Sequence, residues 1–313
     1  MLLGLFLLAS MGMIWRLQAI ESKGFEGTVL GSLIMPYCSG FANLIFAYVM
    51  SQTGGNGKAV MENCIVNNVT NLTLILGTAA VFAGSRALVP AKGKSKKQSD
   101  GYRLYRLDLL LTLVALALFT GAVWALGKDK VIDFYDGLVL VALFAFWQIL
   151  HVFEILKTNV RKNRSFQWSI LLDLALLAAC AYGVYYTVDA LVNWVSQPRN
   201  PYFSASNLGW LSGILMVLPN ALIAMYYATK GRQDIVVSSQ VGDGHICIPM
   251  CIGLFALFDP IRVPSFFQMG LFMILGAAAV HFLSITAMGR LPRILGGGMV
   301  LAYGGFLYAG LGN

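Results

Sequence analysis

The sequence carries little charge for its length. Only 12% of its 313 residues are Asp, Glu, Lys or Arg, whereas soluble domains carry about 25%. Hydrophobic residues make up 58% of the chain, and the mean hydropathy is +0.72. These values exclude an ordinary soluble domain and indicate a multi-pass membrane protein.

Polar loops rich in cysteine, which small secreted domains use, are also missing. All five cysteines lie in apolar runs, which argues against a disulfide framework. The sequence has no phosphate-binding glycine loop, no nucleophile elbow and no clustered metal ligands on a soluble domain. We therefore predict neither an enzyme nor a cofactor, and any transport has to be secondary.

What the sequence does have is ten apolar runs, which predict an all-α protein of about ten transmembrane helices. The predicted spans are residues 2–20, 27–50, 59–83, 107–126, 135–157, 168–194, 207–229, 235–258, 264–288 and 294–311. Most connections are short. Residues 84–106 are the exception, and we predict them to form a flexible basic cytoplasmic loop.

The net charge of +8 is explained by topology and needs no nucleic-acid partner. Of the 22 Lys and Arg residues, seventeen lie in the connections after spans 1, 3, 5, 7 and 9 or at the adjoining span ends, and five lie in the opposite connections. Cytoplasmic loops carry the excess of basic residues. Both termini are therefore predicted on the non-cytoplasmic side of an integral membrane protein, in a membrane of the bacterial inner (plasma) membrane type.

The ten spans divide into two groups of five, residues 1–157 and 158–313. Because five is odd, two homologous halves insert in opposite orientations, which is the inverted-repeat architecture of many secondary transporters. A shift of 176 residues pairs Gly77 with Gly253, and upstream a shift of 177 pairs Asn43 with Asn220. A weaker match relates residues 136–140 of span 5 to residues 297–301 of span 10.

Spans 3 and 8 each carry polar side chains at every fourth position, which form one stripe along a helix. The shift of 176 superimposes these two stripes, which are Asn63, Asn67 and Asn71 in span 3 and Ser239, Asp243 and Cys247 in span 8. Polar residues at membrane depth usually face a bundle interior or a watery cavity. Helix breaks are predicted at Pro36 and Gly40 of span 2, at Pro219 of span 7, and near Gly242 and Gly244 of span 8.

The second half resembles the α-repeat of the calcium/cation antiporter superfamily, which includes the sodium/calcium exchangers. That repeat reads roughly Leu-Pro-Glu, a Gly-x-x-Asp-Leu loop, then Gly-Asn-x-x-Gly-Ser-Asn-x-x-Asn. The matching segments are Leu218-Pro219-Asn220, Gly231-Arg232-Gln233-Asp234-Ile235 and Ser238-Ser239-Gln240-Val241-Gly242-Asp243. In the first half, Asn67-Asn68-Val69-Thr70-Asn71 resembles the end of the same repeat.

The resemblance implies a secondary antiporter with its ion site near the midplane of spans 2, 3, 7 and 8. Two departures alter that site. The family's central glutamates are replaced by Asn220 and, through the internal repeat, Asn43, while Asp243 adds a carboxylate at a hydroxyl position. Calcium affinity rises with ligand charge, so weak calcium binding, a monovalent cation or a proton on Asp243 is expected.

We therefore predict that the chain exchanges Ca²⁺ or another cation against Na⁺ or H⁺, with the lipid bilayer and small cations as its only readable partners. The predicted ion-binding residues are Asn43, Asn67, Asn71, Asn220 and Asp243, with Asp243 and Asn71 as ligands of a hard cation. The predicted supporting residues are Ser39, Glu62, Asn63, Ser239 and Cys247. A softer metal held by Cys64, His245 and Cys247 lacks close ligand spacing.

Two alternatives stay open. The loss of the glutamates is also compatible with an exchange-inactive membrane subunit or scaffold that retains the fold and binds a protein partner. A pocket lined by amides is compatible with a transporter of another small solute.

Overall fold

The structure is a computed structural model that describes residues 1–22, 35–52, 56–83, 96–159, 169–195, 207–229 and 233–311. Each of the ten predicted spans contains helix. Seven spans are single helices over their described residues: Leu2–Ser22, Met35–Gln52, Lys96–Leu126, Phe134–Asn159, Ser169–Val195, Phe267–Met288 and Arg293–Leu311. Five spans contain helices that are long and apolar enough to cross a bilayer, judged by length and composition.

Span 4 begins earlier than predicted. The sequence assigned residues 84–106 to a loop, but the helix of span 4 starts at Lys96. Lysine, glutamine, arginine and leucine are good helix formers, and each residue added to an existing helix gains a backbone hydrogen bond. The helix therefore continues beyond its apolar part. Residues 84–95 lie outside the described part of the chain.

Spans 3 and 8 are built alike and form the centre of the molecule. Span 3 consists of an α-helix Gly57–Val69, a π-helix Thr70–Ile75 and an α-helix Leu76–Ala83. Span 8 consists of an α-helix Gln233–His245, a π-helix Ile246–Cys251 and an α-helix Ile252–Ala256. The first two segments of each span correspond residue for residue under the shift of 176. The inverted repeat thus extends to the position of an uncommon backbone element, which is typical of functional sites.

Close glycine contacts show the same two-fold relation at the edges of the bundle. A Cβ atom added to Gly77 would lie 2.7 Å from the Gly296 carbonyl oxygen of span 10. A Cβ added to Gly137 of span 5 would lie 2.8 Å from the Gly253 carbonyl oxygen of span 8. Spans 3 and 10 therefore meet as spans 8 and 5 do.

These contacts correct the sequence alignment of spans 5 and 10. Gly253 faces Gly137, Leu140 and Val141, and Gly77 faces residues 296, 299 and 300. Gly137 is therefore equivalent to Gly296, a shift of 159. The match of residues 136–140 with 297–301 was wrong by two positions, because apolar helices align at many registers and only the packing selects one.

The predicted helix breaks have three outcomes. Span 7 is interrupted as predicted, with helices Leu208–Leu215 and Leu218–Thr229 on either side of a turn just before Pro219. Span 8 changes to the π-helix at Ile246, two residues after Gly244, and Pro249 lies inside that segment. The prediction for span 2 was wrong at Gly40, because the helix runs through it from Met35.

Gly40 serves packing instead of a break. A Cβ added there would lie 3.0 Å from the Cβ of Ile246, at the first residue of the π-helix of span 8. The missing side chain lets span 2 approach span 8 closely. Pro36 is the second residue of the described helix, where proline is tolerated because the first backbone N–H groups have no partner within the helix.

Spans 1 and 6 pack along each other. Arg16 of span 1 lies 3.4 Å from Asp173 of span 6. At the other end of the bundle, a short antiparallel ribbon of β1 (Val131–Ile132) and β2 (Ile261–Arg262) joins the connection after span 4 to the connection after span 8.

Candidate functional site

A continuous chain of hydrogen bonds crosses the centre of the bundle. Asn67 of span 3 donates through Nδ2 to Oδ1 of Asn43 in span 2, at 3.2 Å. Asn71 donates through Nδ2 to Oδ1 of Asn67, at 2.9 Å, and to Oδ2 of Asp243 in span 8, at 2.6 Å. Four of the five predicted ion-binding residues therefore lie in one cluster that joins three spans.

The local sequence explains how these side chains meet. Asn67 and Asn71 are four residues apart, so their side chains lie one above the other on the same face of span 3. The π-helix begins at Thr70, so Asn67 lies in the α-helix before it and Asn71 lies in the π-helix itself. Asp243 occupies the position equivalent to Asn67 under the shift of 176, so the stripes of both repeats face each other.

The four residues are wholly buried, each with 0% exposure. Burying a carboxylate is strongly unfavourable unless it is paired and hydrogen-bonded. Here the Asn71 amide donates to that carboxylate, and the amide is in turn held in the chain. Such a network fixes the side chains in one arrangement, as a binding site requires.

Two amide oxygens at the centre have no hydrogen-bond partner among the described residues. They belong to Asn71 and to its neighbour Asn68. Amide and carboxylate oxygens are the ligands that hard cations such as Ca²⁺ prefer. Asn43 has an unpartnered Nδ2 atom within that same described part, while its Oδ1 atom is the acceptor for Asn67. The donor set of the cluster is therefore suited to a hard cation.

Asn220, the fifth predicted ligand, is buried at 4% exposure on the second helix of span 7. Within the described residues no hydrogen bond joins it to the chain of four, and its Nδ2 atom has no partner there. Its helix packs against span 8 and against the π-helix of span 3. The structure thus brings the span that carries Asn220 to the site without linking its side chain to it.

The predicted supporting residues are divided between two places. Asn63 donates through Nδ2 to Ser212 Oγ of span 7, at 3.1 Å, and lies 3.5 Å from Met216 Sδ. Asn63 thus continues the stripe, but its Nδ2 atom faces span 7 instead of the central chain. Ser239 bonds locally to the Val236 carbonyl oxygen and accepts from Gln240. The side chain of Ser39 lies outside the described part of the structure.

Cys247 lies in the π-helix of span 8 and contacts a group of buried thiols. Cys251 of the same segment and Cys64 of span 3 are the neighbouring thiols. Within the described residues, no three His, Cys, Asp or Glu side chains are arranged to hold a metal ion. His245 Nε2 instead lies 2.8 Å from the Thr112 carbonyl oxygen of span 4.

The sequence did not single out Asn68 or His281 as parts of the site. Asn68 is buried and donates to the Cys64 carbonyl oxygen at 2.7 Å. Its equivalent under the shift of 176 is Gly244, where an added Cβ would lie 2.5 Å from Asn68 Oδ1. The absence of a side chain at Gly244 thus makes room for the amide, a relation that the internal alignment could have indicated. His281 Nε2 of span 9 lies 2.9 Å from the Leu72 carbonyl oxygen within the π-helix of span 3.

Residues 1–153 match the family model described as sodium/calcium exchanger protein. The matched region falls within the predicted first repeat and includes Asn43, Asn67 and Asn71. This match, over just under half of the chain, supports the predicted resemblance to the calcium/cation antiporter superfamily. A comparison with curated proteins found no match.

Solved structures of the sodium-calcium exchanger NCX_Mj share the fold. The form soaked with 2.5 mM Na⁺ and 0.1 mM Ca²⁺ has a TM-score of 0.69 at 16% identity, covering 99% of this chain and 96% of that one. The form soaked with 2.5 mM Na⁺ and 10 mM Sr²⁺ has a TM-score of 0.70 at 16% identity with the same coverage. The form soaked without Na⁺ and Ca²⁺ has a TM-score of 0.65 at 17% identity, covering 96% and 94%.

The chain is an integral multi-pass membrane protein with the all-helical fold predicted from its sequence. The family match and the fold support a cation antiporter and fit a transporter better than an enzyme.

Proposed function

We propose that the protein is a secondary antiporter that exchanges Na⁺ or H⁺ for a second cation at the buried chain of Asn43, Asn67, Asn71 and Asp243. The observation that carries this proposal is the bond of 2.6 Å between Asn71 and Asp243. It places one carboxylate among amide oxygens, between spans 2, 3 and 8, at the centre of an inverted repeat.

The charge of this site decides which cations it favours. Asp243 is the only carboxylate in the chain of four, and the two family glutamate positions hold asparagine. A single negative charge neutralises one monovalent cation, or one proton carried on Asp243 itself, whereas a divalent cation would retain a positive charge in a buried site. We therefore propose that this site binds Na⁺ or H⁺ well and Ca²⁺ weakly.

Alternating access needs part of the bundle to move relative to this fixed centre. We propose that spans 1 and 6 slide as a pair along the other eight spans. A narrow cavity at their interface with spans 2 and 7 is lined mainly by apolar side chains, including Phe6, Phe46, Val188 and Leu211. Apolar surfaces have no directional bonds to break during sliding. The predicted orientation, with both termini outside a bacterial-type inner membrane, belongs to the same proposal.

The direct test is cation flux in proteoliposomes with an imposed Na⁺ or proton gradient. We expect uptake of the second cation into the vesicles to depend on an outward gradient of Na⁺ or protons. Co-purification with a stable partner, together with no cation-dependent flux, would favour an exchange-inactive membrane subunit. Gradient-driven uptake of an uncharged solute would favour a transporter of another small solute.

A thermal-shift series with Na⁺, K⁺, Ca²⁺, Mn²⁺ and pH tests binding without transport. A ligand at one hundred times its dissociation constant stabilises the folded state by about 2.7 kcal/mol. We expect the largest shift with Na⁺ or with pH and a smaller one with Ca²⁺. The absence of a response to every cation contradicts the proposal.

Restoring the family carboxylates should change the preferred charge. We expect Asn43→Glu to raise Ca²⁺ affinity at least about tenfold, because it adds a second negative charge at the end of the chain. Calcium titrations followed by thermal shift measure the change. Asn193→Glu is a matched control, since Asn193 is an exposed span 6 residue bonded to Asp189. Equal effects of the two variants would contradict the assignment of Asn43 to the site.

A further inference from the structure

Two charged residues of span 3, Lys58 and Glu62, lie between its exposed end and the central chain. Lys58 lies in the first turn of the span, and its side chain is 46% exposed. Glu62 follows one turn later and is buried, with 3% of the residue exposed. A buried carboxylate this close to a membrane surface is costly unless a positive charge neutralises it.

The ion pair between Glu62 and Lys58 is long. Lys58 Nζ lies 3.5 Å from Glu62 Oε1, beyond the usual range of about 2.7–2.9 Å for charge-assisted hydrogen bonds. The start of the helix is fixed independently, because the Asn56 side chain accepts from the Lys58 backbone N–H at 3.0 Å. The Lys58 ammonium can therefore leave Glu62 while the helix stays in place.

The other carboxylate oxygen faces the neighbouring span. A Cβ added to Gly209 of span 7 would lie 2.6 Å from Glu62 Oε2. Asn63 follows Glu62 in the chain and bonds to Ser212, one turn after Gly209. Glu62 therefore lies beside the contact between spans 3 and 7 that leads inwards.

Spacing along the helix connects this carboxylate to the site. Lys58 and Glu62 are one helical turn apart, Asn63 directly follows Glu62, and Asn67 and Asn71 follow at further turns, each a rise of about 6 Å. Polar groups therefore occur at every turn from the exposed end of span 3 to Asp243. A cation that enters along this side meets Glu62 before it reaches the amides.

We propose that Glu62 is the entry carboxylate of the cation pathway and that Lys58 occupies it as a tethered cation until a transported cation displaces the ammonium. The inference rests on the proposed antiporter function. It assigns a specificity-determining role to a residue outside the central chain of hydrogen bonds. It also supplies a second carboxylate to a protein in which asparagines replace the family's glutamates.

Two substitutions should shift cation affinity in opposite directions. Lys58→Gln removes the competitor, so the cation concentration for half-maximal flux should fall roughly twofold to fivefold, the range of a partly exposed ion pair. Glu62→Gln removes the ligand and should raise that concentration about tenfold. Both variants should retain the maximal rate at saturating cation, because the central chain is unchanged.

The double variant separates competition from a structural role. In the Glu62→Gln background, Lys58→Gln should have no further effect on the half-maximal concentration. Lys128→Gln is the control, since Lys128 is an exposed lysine stacked on Trp124. An unchanged half-maximal concentration in Glu62→Gln, or an effect of Lys58→Gln that persists without Glu62, would overturn the inference. Absence of flux in the unmodified protein would instead overturn the proposed function, and thermal unfolding of each variant shows whether it folds.

Discussion

Asp243→Asn should reduce cation-dependent exchange at least about a hundredfold, equivalent to about 2.7 kcal/mol, while the protein still folds. The carboxylate is the only formal charge in the central chain, so its loss leaves a cation buried among neutral amides. That state is strongly unfavourable. Proteoliposome flux measured from initial rates tests the change.

The fold should survive because asparagine preserves the hydrogen bond. Asn71 donates through Nδ2 to Oδ2 of Asp243, and an amide oxygen at the same place can accept the same bond, though as a weaker neutral one. Asp259→Asn is the matched control, since Asp259 is an exposed carboxylate in the connection that follows span 8. It should exchange at the unmodified rate.

A charge swap distinguishes the electrostatic role of Asp243 from a requirement for its exact position. In the double variant Asp243→Asn with Asn71→Asp, the carboxylate moves across a contact of 2.6 Å and keeps an amide partner. We expect part of the lost exchange to return. If Asp243→Asn alone exchanges normally, the carboxylate has no role in transport, and the proposed site fails with it.

The sequence determined the membrane class and the central cluster because both depend on strong local signals. Charge is rare in this chain, so an amide inside an apolar run stands out, and a spacing of four residues places Asn67 and Asn71 on one helical face. The repeat then identified Asp243 as the counterpart of Asn67. The structure brings these residues together as that reasoning requires.

The features that the sequence could not supply depend on packing between spans. The π-helix of span 3 contains neither glycine nor proline, so no local residue indicates it. Asn63 belongs to the same stripe as Asn67, yet its Nδ2 atom faces Ser212, because the first helix of span 7 lies against that part of span 3. The role of Asn68 depends on the space left by Gly244, a contact between residues 176 positions apart.

The packing of span 10 should be sensitive to Gly296 and insensitive to the next residue. A Cβ at Gly296 would lie 2.8 Å from the Gly77 carbonyl oxygen and 2.9 Å from the Ala80 Cβ, both on span 3, whereas a Cβ at Gly297 meets nothing within 4 Å. Backbone atoms cannot move aside as a flexible side chain can. Gly296→Ala should therefore destabilise the protein by about 1–3 kcal/mol. Gly297→Ala should be neutral or slightly stabilising, since alanine favours a helix over glycine by about 0.5–1 kcal/mol.

The second repeat supplies an independent copy of the same experiment. Gly137→Ala places its Cβ 2.8 Å from the Gly253 carbonyl oxygen and 2.9 Å from the Ala256 Cβ, so its loss of stability should match that of Gly296→Ala. Thermal unfolding in detergent measures all the variants, and Gly298→Ala joins the series because the sequence alignment paired Gly298 with Gly137. If Gly298→Ala were the damaging substitution and Gly296→Ala harmless, the alignment from sequence would be right and the shift of 159 wrong. Equal losses of stability at Gly137 and Gly296 would show that the same kind of glycine contact holds span 3 against span 10 and span 8 against span 5. These two equivalent contacts keep spans 3 and 8 fixed around Asp243.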